Sequence, residues 1–296
     1  MKIIIFGGSG FLGEYLAKVG VKRGHEIFIF DKTKTNYENT TFIEGDILEK
    51  DQVKKSIKGM DLVYNLCAIS DIDDCISNPS LAVRINVVGN VNVMEGCVKH
   101  KVDRLIFASS AYAGGNHGGI YASTKKSSEM LIRDFNKFYG LNYTILRYGT
   151  LYGVGAPMTN SICRYLTNAL IDKKIDYTGN GEEIREYIHI EDASHLSYDI
   201  LEDKKSLNSI VSLTGDSAIK TKDLFTMIDE ILNGEIKINY NKEITKGRTA
   251  THYRVSPYTY EREKVYKLSK NINRDMGDTL IEILTDIDDR FREHSE

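Results

Sequence analysis

The chain's 296 residues are enough for one large or two small domains, and 41% hydrophobic with 27% charged residues is the make-up of an ordinary globular protein. Its net charge of −3, with Lys and Arg spread along the whole length, leaves no electrostatic footprint for nucleic acid or an anionic membrane. Cys67, Cys75, Cys97 and Cys163 include no C-x-x-C pair and read as reduced, buried thiols of a cytoplasmic protein without a metal site; the apolar run in MKIIIFGGSGFLG is too short for a signal peptide or a membrane span.

The first predicted element is the strand KIIIF, followed by a helix over 11–23. Between them Gly7, Gly10 and Gly13, with Phe11 and Leu12 at the helix start, form a turn of the kind that lets backbone approach a pyrophosphate at a helix N-terminus. The second strand, EIFIFD, ends in Asp31, placed to bind both hydroxyls of an adenosine ribose and to repel a 2′-phosphate. This favours NAD over NADP, although Lys32 and Lys34 stand beside it as cations that would suit a phosphate. The third strand, TFIEGD, ends in Asp46, either a contact for the adenine amino group or a turn residue, with Ile47 beside it.

A helix over 50–58, the strand DLVYNL and a long helical stretch over 81–99 follow. The acidic loop AISDIDDCIS, with Asp71, Asp73 and Asp74, opens at the same edge of the sheet as the glycine turn. Next come the strand RLIFASS, a helix over 121–138 and the strand NYTILRYG. Strands rich in Ile, Val and Phe alternating with helices imply βαβ units, so the fold class is α/β, a doubly wound Rossmann parallel sheet. Beyond residue 151 the rhythm breaks into helices over 160–171, 191–201 and 222–232, with short strands such as REYIHI and NSIVSLTG. The division expected is a nucleotide-binding domain over 1–150 that carries the chemistry and a smaller C-terminal lobe over 151–296, partly interleaved with the sheet.

Ser110 ends RLIFASS, and Tyr121-x-x-x-Lys125 follows eleven positions later on a helix, with Tyr and Lys on one face. The glycine turn, FASS, YASTK, LRYGTLYG and GNGEEIREYIHIEDA occur in one order over most of the chain, and together they resemble the extended short-chain dehydrogenase/reductase family, in particular its nucleotide-sugar epimerases and dehydratases. The resemblance implies NAD as cofactor and a nucleotide-diphosphate sugar as substrate. Tyr121 would be the base that takes a sugar hydroxyl's proton, which requires its pKa to be drawn down from ~10. Lys125 would supply the charge that does so and hold the nicotinamide ribose. Ser110 would orient the reacting oxygen; a helix cap or turn is its other reading.

Arg185 and Asn160 match the family residues that grip the substrate diphosphate, and Arg254 in HYRVSPY is a further candidate clamp or a surface ion-pair partner. By the same resemblance the helices over 81–99 and 121–138 would pair with their symmetry mates in a homodimer. The family's 4,6-dehydratases carry an Asp-Glu pair after the serine or threonine, whereas here Ala111 and Tyr112 follow Ser110. The Ser-to-Tyr segment is shorter than usual in extended members and contains GGNHGG, whose His117 is an auxiliary acid-base group or a solvated loop residue. The reading that results is a 4-epimerase acting through transient oxidation at C4; a net C4 dehydrogenase on a hexose or heptose, and a catalytically silent NAD-binding regulator, are the alternatives. In related enzymes the loop after the fourth strand approaches the sugar, so Asp71, Asp73 and Asp74 read either as a solvated acidic loop or as placing at least one carboxylate at the pocket, and the second reading favours neutral sugars over uronates.

Overall fold

The computed structural model describes residues 1–115, 117–216, 218–241, 265–269 and 273–293. In chain order, β1 (Lys2–Phe6), α1 (Phe11–Lys22), β2 (Glu26–Asp31), β3 (Thr40–Glu44), α2 (Lys50–Ile57) and β4 (Leu62–Asn65) come first. Two short helices, α3 (Ile72–Ser77) and α4 (Pro79–Val83), run through a π-helical turn, Arg84–Gly89, into α5 (Asn90–His100). There follow β5 (Arg104–Ser110), a 3₁₀ turn at Ala111–Gly114, α6 (Gly119–Tyr139), β6 (Tyr143–Tyr148) and β7 (Thr150–Tyr152). The second half contains α7 (Ser161–Asp172), β8 (Lys174–Thr178), β9 (Ile184–His189), α8 (Ile190–Asp199), β10 (Ser209–Leu213) and β11 (Ala218–Lys220). It ends with α9 (Thr221–Ile231), β12 (Lys237–Asn241), β13 (Val265–Lys267) and α10 (Met276–Glu293).

Eight described strands form one sheet in the order β13-β10-β6-β5-β4-β1-β2-β3, and every neighbouring pair is parallel. This is the doubly wound sheet expected from the strand rhythm. The period of two along each strand explains why both faces are covered. Ile3 and Ile5 of β1 point into a core shared with α1 and α8, while Ile4 and Phe6 point into the opposite core under α2, α5 and α6. The order reverses between β1 and β4, so the sheet's carboxyl edge opens there into a crevice.

The remaining strands form a three-stranded sheet, β11-β9-β7, and a pair, β12-β8. With α7, α9 and α10 they enclose a third core around Leu166, Phe225, Ile228 and Ile283. The second half does more than build this lobe. It returns α8 to one face of the large sheet, and β10 and β13 to its edge.

Candidate active site

A cleft of about 1200 Å³ lies across the carboxyl ends of β1, β4, β5 and β6 and continues against the second lobe. Gly7, Gly10, Phe11, Leu12, Gly13 and Asp31 line one end; Ser110, Tyr121 and Lys125 lie on its wall, and Asn160, Tyr177 and Arg185 belong to the lobe side. Gly7 has φ +75, and a Cβ there would stand 2.8 Å from the backbone nitrogen of Cys67, so both the turn and the close approach of the β4 loop need glycine. The Asp31 carboxylate is already oriented, accepting from the backbone N–H of Ser9 at 3.1 Å and of Thr33 at 3.0 Å.

Lys32, one of the two cations that stand beside Asp31 in the sequence, is drawn away to Asp46 at 2.7 Å. Asp46 also accepts from the N–H of Leu48 at 2.9 Å, which is the turn-residue role; the Lys32 and Leu48 bonds, against burial, hold its carboxyl below the usual range. The Ile47 side chain is buried in the core beneath Gly89, with its carbonyl accepting from Asn92.

At the centre of the cleft, three consecutive residues of β5 hold three successive turns of α6. Ser110 hydrogen-bonds Tyr121, the carbonyl of Ala108 accepts from Lys125 Nζ at 2.7 Å, and Ser109 Oγ donates to Glu129 at 2.5 Å. Ser110 Oγ also accepts from the N–H of Tyr112 at 3.3 Å, which is the cap reading, while the residue lies on the cleft wall beside Tyr121. The short Ser-to-Tyr connection closes through the 3₁₀ turn and Gly118, whose φ of +90 and contacts with Tyr112 and Ala122 leave no room for a side chain. His117 on this connection is exposed, off the cleft wall.

Burial dominates the electrostatics here. It pushes the Tyr121 phenol up to about 12, opposed by the Ser110 hydrogen bond, and brings the Lys125 ammonium down to about 8. The expected lowering of Tyr121 by Lys125 is not produced by these side chains: the ammonium is directed to Ala108 O and lies 4.9 Å from the Phe107 ring centroid and 5.8 Å from that of Tyr121.

In the second lobe, Asn160 lines the cleft, but its side chain is engaged in capping α7. Its oxygen accepts from the N–H groups of Ile162 and Cys163, and its amide donates to Leu151 O at 2.7 Å. Arg185 faces the cleft from β9; Arg254 lies outside the described residues. Asp71 also lines the cleft and caps α3 by accepting from Asp73 and Asp74, whose own side chains stand off the wall in the first turn of that helix.

Two buried networks behind the trio were not anticipated. Asn86, on the π turn, exchanges hydrogen bonds with both backbone groups of Ile69 and donates to Thr124 Oγ1 at 3.0 Å, tying the loop after β4 to α6. Glu129 is fully buried and binds Arg147 of β6 through both oxygens, at 3.0 and 2.7 Å. A signal for the second was available in the sequence: positions 121, 125 and 129 recur every fourth residue on one helix face, and Arg147 lies inside LRYGTLYG. Among the described residues, no cluster of three His, Cys, Asp or Glu could hold a metal ion, and no helix is long and apolar enough to cross a membrane.

Comparison with known proteins adds an independent line. A provisionally named UDP-glucose 4-epimerase of Methanocaldococcus jannaschii is 25% identical over 276 residues, covering 86% of this chain and 88% of that protein. A UDP-N-acetyl-alpha-D-glucosaminuronate decarboxylase of Bacillus cytotoxicus is 26% identical, over 80% of this chain and 82% of its own. The solved UDP-glucuronic acid 4-epimerase from Bacillus cereus, in complex with UDP-glucuronic acid and NAD, superposes with a TM-score of 0.82 at 21% identity, over 98% of this chain and 100% of that one, which is a likeness of fold. Residues 3–212 match the model of the NAD dependent epimerase/dehydratase family. That match begins in β1 and ends in β10, so it takes in the glycine turn, the strand ends around the cleft and the Ser-Tyr-Lys cluster: this chain belongs to the NAD dependent epimerase/dehydratase family.

Proposed function

We propose that the protein is a nucleotide-sugar 4-epimerase that uses NAD and acts on neutral sugars. The observation that carries this reading is the meeting of Ser110, Tyr121 and Lys125 on the wall of a single cleft whose other linings are the glycine turn and Arg185. The cleft exceeds the ~300–1,000 Å³ of a single small-ligand site, so a cofactor and a substrate fit together.

The glycine turn suits a dinucleotide. A Cβ built on Gly10 would meet only Gly7 O, at 3.4 Å, and would otherwise stand in the open cleft where a pyrophosphate must approach. NAD held by Gly7, Gly10, Phe11, Leu12, Gly13 and Asp31, with Tyr121 and Lys125 at its other end, supplies when bound a hydride acceptor for the C4 carbon and, in its oxidised form, positive charge against the phenol. Ser110 orients the C4 hydroxyl, and Tyr121 takes its proton as general base and later returns it. Lys125 holds the ribose, and the charge that draws the phenol down is left to the oxidised cofactor, since the ammonium is turned to Ala108 O. Inversion requires the sugar to turn while its diphosphate stays anchored by Arg185, which lines the same cleft. Ala111 and Tyr112 stand where a dehydratase carries its acid and base, which supports epimerisation over elimination.

Asp71 on the cleft wall supports the neutral-sugar part, since a second carboxylate at ~4 Å is repelled by roughly 1 to 4 kcal/mol. The test is a panel of UDP-linked hexoses and the matching uronates with NAD⁺ or NADP⁺, followed by proton NMR of the sugar. Inversion at C4 of a neutral hexose with NAD⁺ is expected. Accumulation of a 4-keto sugar with stoichiometric reduced cofactor would identify a net dehydrogenase instead. A higher kcat/KM for the uronate would overturn the sugar assignment, and preference for NADP⁺ would overturn the role of Asp31.

A further inference from the structure

Behind the Ser110, Tyr121 and Lys125 cluster lies an ion pair whose members touch none of the cleft. Glu129 has a relative side-chain exposure of 0% and Arg147 of 4%. One carboxylate oxygen accepts from Ser109 Oγ and from Arg147 Nε, and the other from Arg147 Nη2. For stability alone, a well-packed apolar pair of similar volume serves a core as well as a buried ion pair does. The location of this pair is therefore informative. Ser109 precedes Ser110 on β5, Arg147 precedes Tyr148 of the cleft wall on β6, and Glu129 follows Lys125 by one helical turn and Tyr121 by two.

We infer that Glu129, held by Arg147 and Ser109, is a positioning residue for the reaction proposed above: it fixes the register of α6 against β5 and β6 and is the counter-charge of the Lys125 ammonium. The inference rests on the roles given to Ser110, Tyr121 and Lys125. The groups facing Lys125 are Tyr121 and Glu129 on its own helix, Cys67 after β4 and Cys75 of α3. Burial pushes both thiols up to about 11 and the phenol up to about 12, so those three are neutral near pH 7. The desolvation of Lys125 is opposed by Cys67 first, then by Glu129 and Cys75, and Glu129 is the carboxylate of this set, one helical turn from the lysine. Around Glu129 itself stand Arg147, Ser109, Arg133, which donates to its carbonyl at 3.3 Å, and Tyr143, whose phenol it helps to raise.

The test uses the full chain. Lysine labelled with ¹³C at the ε-carbon is titrated by NMR, the Lys125 signal being assigned with Lys125→Met. In Glu129→Gln the Lys125 midpoint is expected to fall by about one pH unit or more, because a negative charge is lost and Arg147 is left uncompensated. Glu129→Asp is expected to restore the midpoint while the shorter side chain still slows turnover. In activity, the alkaline limb of kcat/KM moves to lower pH and kcat drops about tenfold or more, with KM for the nucleotide sugar little changed. If Glu129→Gln does not fold, Glu129→Met with Arg147→Met removes both charges and keeps the volume. Its Lys125 midpoint is also expected to fall, since the carboxylate lies on the lysine's own helix. A folded variant of either kind with the wild-type midpoint overturns the inference. The titration needs no substrate, so absence of turnover on every nucleotide sugar would defeat the proposed reaction and leave this result standing.

Discussion

Replacing Tyr121 by Phe removes one oxygen and leaves the ring over the buried face of α6, where Ala122, Thr124 and Lys125 already fill the core side. Such a variant is expected to retain NAD and to lose at least ~10² in turnover, as removal of a positioned general base does; equilibrium dialysis with NAD⁺ beside a turnover assay checks both halves. Tyr121, Lys125 and Ser110 were legible in the sequence because their chemistry and spacing are local to one strand and one helix. Glu129 and Arg147 were less so, since they act on each other across an 18-residue separation that only the fold closes. A second residue-scale expectation concerns His189. Burial, with Arg274 adding to it and Glu191 opposing, lowers its pKa from 6.5 to about 4. Between those values the unfolded chain takes up a proton that the folded chain refuses, so stability falls as pH falls through that window, by something of the order of 2 kcal/mol. Thermal melts at pH 7 and pH 4.5 should show a smaller loss for His189→Asn, which keeps an acceptor for the Glu191 N–H that His189 now serves.

Among the elements, the stretch over 81–99 reads from its apolar spacing as one helix, and the structure divides it into α4, a π turn and α5. The spacing is blind to the division because a π turn inserts a residue without ending the helix. What it accomplishes is the placing of Asn86, 2% exposed, between Ile69 and Thr124. Asn86→Ala leaves the backbone of Ile69 and the Thr124 hydroxyl without these bonds and is expected to cost about 1–3 kcal/mol in a urea titration. A loss below a few tenths would mean that water replaces the amide. The glycine turn and Asp31, by contrast, are legible because strand, turn and helix follow one another within some thirty residues and each has its own local signal.

At the scale of the molecule, the outer surfaces of the helices from α4 to α6 carry Val83, Val88, Met130 and Phe138 at 45, 47, 55 and 67% exposure, with Met130 and Phe138 two turns apart on one stripe. A homodimer through these helices is expected to appear by sedimentation at micromolar concentration, and Val88→Asp with Met130→Asp to leave a monomer; a wild-type monomer would contradict it. The sheet's parallel character was readable from strand composition, and the interleaving of the second half with it was expected, with NSIVSLTG as a strand; the addition of β13 was not, because a three-residue edge strand carries almost no pattern of its own. The return of β10 and β13 bears on how the protein is made. On the ribosome, β6 is complete at residue 148, but its open edge meets no partner until β10 emerges some sixty residues later, and β10 in turn waits for β13. A buried parallel strand with an unpaired edge is an adhesive surface while it waits. Slow or interrupted synthesis between residues 148 and 209 is therefore the interval in which a newborn chain most needs a chaperone, and a fragment ending there should be recovered as aggregate.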